Sequence, residues 1–113
     1  MYNQRVGFFS LYRGYIMANR INDLHLTNLV NRLNNLTGNS TDQWGIVDGK
    51  TKANIGSFYI SHAYGGVALM QMVNESGGVN MPLMQGHTTK RDCYDQVYAF
   101  IKGIEYANQN KGK

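Results

Sequence analysis

The chain has 113 residues, of which 42% are hydrophobic and 16% charged, with a formal net charge of +4; this bounds it to one globular domain with a single modest core and excludes a disordered or fibrous chain. A single cysteine, Cys93, excludes an internal disulfide and sets the expectation of a reducing, cytoplasmic compartment, while the longest apolar runs fall short of the roughly 18 residues a spanning helix needs, so no membrane partner is expected. The mild excess of bases suits nucleic acid or an acidic protein as partner and does not choose between them.

Residues 1–20 read as an N-terminal arm, aromatic-rich and free of acids, with Phe8, Phe9, Tyr12 and Tyr15 available for packing or assembly. Arg13 interrupts the only stretch that resembles a signal-peptide core. Met17, followed by Ala-Asn-Arg, offers an alternative translation start that would make the arm an optional extension.

Residues 21–108 read as a single domain. Leu26, Leu29, Val30, Leu33 and Leu36 recur at helical spacing, with Asn22 or Asp23 as the cap and Gly38 as the stop. The other face, with Asn28, Asn31, Arg32, Asn34 and Asn35, is polar and nearly uncharged. Trp44-Gly-Ile-Val starts a strand that Asp48-Gly49 turns back, since Asp-Gly is a strong hairpin signal. From Ile55 the period becomes two, with Phe58, Ile60, His62 and Tyr64 on one side and Ser57, Tyr59, Ser61 and Ala63 on the other. Gly65-Gly66 is expected to turn the chain into a return strand over 67–73, and Asn74-Glu-Ser-Gly-Gly to turn it again before a short strand or ordered loop over 79–84.

Thr88 or Thr89 caps a last helix whose apolar stripe is Cys93, Val97, Phe100, Ile101 and Ile104; Gly103 weakens it locally, and residues 109–113 form a frayed tail. The expected fold is α+β in the order α-β-β-β-α, a three-stranded antiparallel sheet with both helices packed on one face.

Little in the sequence points to catalysis. His25, His62 and His87 are scattered and share one cysteine, which is not a metal-ligand pattern, and neither Gly-Gly pair precedes the Lys-Ser/Thr or opens the helix that a phosphate loop requires, so no metal and no cofactor are expected. Cys93 falls on an apolar stripe, as a small core residue does. His62 and Tyr64 are either core residues with polar tips or part of a ligand or contact site, and, if the other face is the open one, Tyr59 with Ser57 and Ser61 forms a polar-aromatic platform there. The positive signal is cationic: Lys90 and Arg91 open the last helix, where free backbone N–H groups and the helix dipole also attract an anion.

The helix, strand and helix order over residues 22–108, with Lys90 and Arg91 opening the second helix and Asp48-Gly49-Lys50 at a hairpin tip, resembles the double-stranded RNA-binding domain. That resemblance implies phosphate contacts at the helix start and groove contacts at the hairpin. The stretches AYGGVALMQMVNESGGV and TKRDCYDQVYAFIKGIE resemble short proteins of tailed bacteriophages and prophages, which implies a viral origin and a host-bacterial cytoplasmic setting without supplying an activity.

The expectation that follows is a small, non-enzymatic phage-type binding protein. Nucleic acid is its first candidate partner, through Lys50, Lys52, Lys90, Arg91 and Arg32, with Arg20 a further base. The alternative is a module that inhibits or modulates a host enzyme or defence system through Tyr59, His62, Tyr64, Phe8 and Phe9. Homodimerisation through the sheet or the arm is open to either.

Overall fold

The computed structural model describes residues 20–84 and 86–111. Phe8, Phe9 and the rest of the predicted arm before Arg20 lie outside them. Helix α1 (Asp23–Thr37) is followed by β1 (Trp44–Val47), β2 (Lys50–Ala53), β3 (Phe58–Ala63), β4 (Gly66–Met72), β5 (Val79–Asn80) and helix α2 (Lys90–Asn110). The class is α+β, as the sequence implies. No helix among the described residues is long and apolar enough to cross a membrane.

Both helices start where their capping chemistry dictates, and α1 also stops where it dictates. The Asn22 side chain accepts from the His25 N–H, and the Asn22 N–H donates back to His25 Nδ1, a reciprocal box in which histidine takes the place usually held by Glu or Gln. Gly38 closes α1 in the left-handed conformation at φ 76°. Thr89 caps α2 by accepting from the Asp92 N–H, and the helix continues through Gly103 to Asn110, two residues past the expected boundary.

The stripes meet as their periods require. Leu26, Leu29, Val30 and Leu33 from α1, and Cys93, Val97 and Ile101 from α2, bury against Phe58, Val67 and Leu69, which the strand register places on one face of the sheet. Both helices therefore cover that one face. Burial pushes the Cys93 thiol up, as suits a packed rather than a reactive cysteine.

The three-stranded antiparallel sheet has the order β3-β4-β5, and the strand that starts at Trp44 is not part of it. β1 and β2 form a separate hairpin in the register Val47↔Lys50 through Trp44↔Ala53. The outer edge of β3, where that hairpin could have joined, is already occupied at Phe58. The Phe58 N–H donates to Asn34 Oδ1 at 2.7 Å, and Asn34 Nδ2 donates to the Phe58 carbonyl at 3.0 Å, both in a buried site. Asn34 is fully buried, whereas the sequence pattern places it on the polar outer face of its helix.

The β3–β4 turn also falls one residue earlier than the glycine pair suggests. Tyr64 and Gly65 are its two central residues, at φ 56° and 73°, and Gly66 is the first residue of β4. Gly66 is required for space instead: a Cβ there would stand 2.8 Å from the Thr88 carbonyl oxygen, because Thr88 pairs through its backbone with Val67.

Two substitutions separate satisfied from unsatisfied buried polarity. Asn34→Ala strands both main-chain groups of Phe58 in a dry site and is expected to cost about 2–4 kcal/mol in urea denaturation at unchanged m-value. The Ser57 side chain is buried with no hydrogen-bond partner for its hydroxyl, so Ser57→Ala is expected to leave stability within about 0.5 kcal/mol or to raise it.

Candidate binding surfaces

Four of the five predicted nucleic-acid-contacting bases are held by carboxylates. Arg32 donates to Glu105 Oε2 at 2.8 Å across the two helices, Lys52 lies 3.6 Å from Glu75, Lys90 lies 3.4 Å from Asp23, and Arg91 lies 3.7 Å from Asp95 one turn along its own helix. Lys50, at the tip of the β1–β2 hairpin, has no salt-bridge partner among the described residues.

The bases do not converge either. Lys90 borders a cavity of about 370 Å³ together with Gly66, Val67 and Thr88, at the start of β4. The hairpin that carries Lys50 and Lys52 is attached at the other end of that strand, where the Ala53 N–H donates to the Glu75 carbonyl just beyond Met72. At about 3.3 Å per residue, the length of β4 alone separates the two groups by roughly 20 Å. Arg32 stands apart again, on the helix pair.

His62 and Tyr64 are not a pair in the folded chain. His62 ends the helix-facing row of β3, and its Nε2–H donates to Asp23 Oδ1 at 3.2 Å, a direction fixed because the carboxylate can only accept. That hydrogen bond, with Lys90 close by, holds the Asp23 carboxyl below its ordinary range. Tyr64 sits in the turn with 95% of its surface exposed and sets its ring edge-on to His87, centroids 5.4 Å apart. Tyr59 is half-buried and its phenol is pushed up by that burial. The expected contact residues of β3 are therefore divided between a turn tip, a helix junction and the strand's outer side.

Another exposed apolar surface lies on the β1–β2 hairpin. Ile46 is 78% exposed and Val47 50%, and they point to opposite faces of the ribbon. The base of the ribbon is firmly placed. Trp44 lies over Gly77, where a Cβ would come within 2.7 Å of the indole Cη2 atom and where φ is 99°, and the Asn54 side chain bridges to the Asp42 carbonyl. The sequence signal for this surface is the apolar run Trp44-Gly-Ile-Val directly before a two-residue turn, since a ribbon with apolar side chains on both faces can bury at most one of them.

No protein-family model, no curated protein and no solved structure matches the chain. What the surfaces do must be argued from their chemistry.

The ion pairs predict an acid limb in stability. Glu105 is held below its ordinary range first by the hydrogen bond from Arg32 and then by that from Lys102. A carboxyl depressed in the folded state stabilises the fold above its unfolded pKa, and the contribution is lost as pH falls through the folded value. In thermal melts, Glu105→Gln is therefore expected to lower Tm near neutral pH, and the gap to the parent chain is expected to close as pH falls below the ordinary carboxylate range and through the depressed Glu105 value.

Proposed function

We propose that this chain is a non-enzymatic protein-binding module whose main contact surface is the β1–β2 hairpin. Support comes from the exposure of Ile46 and Val47 on a ribbon that is anchored at its base and free at its tip. Among the described residues β1 pairs only with β2, so its outer edge offers backbone donors and acceptors that no other described strand takes, beside those side chains. An exposed strand edge flanked by apolar side chains is a liability unless a partner covers it, which gives the hairpin a use rather than only a cost. The resemblance to proteins of tailed phages favours a bacterial host protein as that partner. Nucleic acid is the weaker reading, because four of its five bases already have carboxylate partners and the set is spread over three places.

Ile46→Thr with Val47→Thr keeps β-branched residues in the strand while removing the apolar surface. In a pull-down from nuclease-treated bacterial lysate, the parent chain is expected to retain a protein that the double variant loses. Identical retention by both chains would remove the hairpin from the interface. Capture that vanishes with nuclease, or a gel shift at low salt that high salt abolishes, would restore the nucleic-acid reading.

A further inference from the structure

A second surface is built for a different kind of contact. β3 is an edge strand, paired with β4 on one side and with no strand on the other among the described residues. Its two-residue turn makes Ala63↔Gly66, Ser61↔Ala68 and Tyr59↔Met70 the hydrogen-bonded pairs, so by the antiparallel alternation the N–H and C=O groups of Phe58, Ile60 and His62 point away from β4. At Phe58 the Asn34 carboxamide meets them, one donor to one acceptor in each direction, as the peptide group of an adjoining strand would. Beyond Phe58 that edge opens into a groove of about 310 Å³ between α1 and β3, bordered by Thr27 and Asn31 of the helix, by Ile60 and His62, and by Asp42 at the rim.

We propose that this groove binds an extended, cationic peptide segment of a partner protein by strand addition to β3, continuing the ladder that Asn34 begins. Main-chain hydrogen bonds to Ile60 and His62 supply the affinity, and about three or four peptide residues fill the groove at about 3.3 Å each. The charge of the segment follows from Asp42. Asp23, Glu75, Asp95 and Glu105 are each paired with a base, whereas Asp42, like Asp48 and Asp92, has no salt-bridge partner among the described residues, and of these three only Asp42 lines the groove. Its backbone is pinned, with its N–H donating to Ser40 Oγ at 3.0 Å and its carbonyl accepting from Asn54 Nδ2 at 2.8 Å. A carboxylate carried on this pinned backbone, beside an open strand edge, selects a lysine or arginine on the added strand. The inference rests on the reading of the chain as a protein-binding module, but not on the hairpin.

The test is amide NMR on the full chain, titrated with a blocked heptapeptide of alternating threonine and valine with lysine at its centre, and with its central-glutamate twin. The expected result is shifts concentrated at Ile60, His62, Thr27 and Asn31. The lysine peptide should bind about two- to fivefold more tightly than its twin, the effect of one exposed charge pair, and Asp42→Asn should erase the difference. No shift of the β3-edge amides at millimolar peptide, or equal affinity for the twins, overturns the proposal. So does slow hydrogen exchange of the Ile60 and His62 amides before peptide is added: if independent of protein concentration, the chain's own residues fill the groove, and if concentration-dependent, a second copy does. Ile46→Thr with Val47→Thr should leave peptide binding unchanged, and Asp42→Asn should leave hairpin-dependent capture unchanged, so the two surfaces fail separately.

Discussion

The rest of the structure depends on the two hydrogen bonds between the Asn34 side chain and the backbone of Phe58. Phe58 begins β3 and also sets its ring edge-on to Phe100 of α2, centroids 6.1 Å apart, so a single residue joins the sheet to both helices. A buried peptide group without a partner costs as much as a lost hydrogen bond, and the end of an edge strand packed against a helix has no strand to supply one. The carboxamide is the side chain that matches a peptide in both donor and acceptor. By filling that position it fixes where α1 lies along β3 and closes the Phe58 end of the edge, the end nearest the preceding hairpin in the chain.

The hairpin's separation follows from this closure. A two-stranded ribbon is at best marginally stable alone. Here it is held by contacts at its base: Trp44 over Gly77, the Ala53 N–H to the Glu75 carbonyl, and the Asn54 N–H to the Gln43 carbonyl. These fix the ribbon beside the β4–β5 turn and leave its tip without a layer to pack on among the described residues. Apolar residues persist at the tip at the cost of exposure, and chain connectivity does not require them there.

Much of the framework was legible because it follows from periodicity and capping. The stripes Leu26-Leu29-Val30-Leu33 and Cys93-Val97-Ile101 are set by the helical repeat, and Gly38 by the left-handed geometry of a helix end. Asn34 was not legible, since its burial depends on a backbone 24 residues away and helical periodicity cannot distinguish an asparagine facing water from one that completes a strand edge. The same limit applies to Tyr64 and Gly65: both glycines of the pair can adopt positive φ, and only the approach of Thr88 to Gly66 shows which residue needs to be small. His62 and Tyr64 shared a face by parity alone, and the turn broke the parity. The basic residues were legible as a list but not as a site, because Asp23, Glu75 and Glu105 reach Lys90, Lys52 and Arg32 only through the tertiary fold.

That last point bears on how the net charge acts. A basic chain attracts polyanions when its cations share a surface and their charge is not cancelled locally. Here the ion pairs link elements: Lys90–Asp23 and His62–Asp23 join the start of α2 and the end of β3 to the start of α1, Arg32–Glu105 joins the two helices, and Lys52–Glu75 joins the hairpin to the β4–β5 turn. Exposed pairs contribute little stability individually, so their value lies more in orienting these junctions than in holding the fold together. With most of these cations turned toward neighbouring carboxylates, the surfaces on which the proposed protein contacts rest are backbone edges and apolar side chains. On the proposed reading the net charge acts only at longer range, on encounter rates, while the strand edge and Asp42 determine which encounters persist.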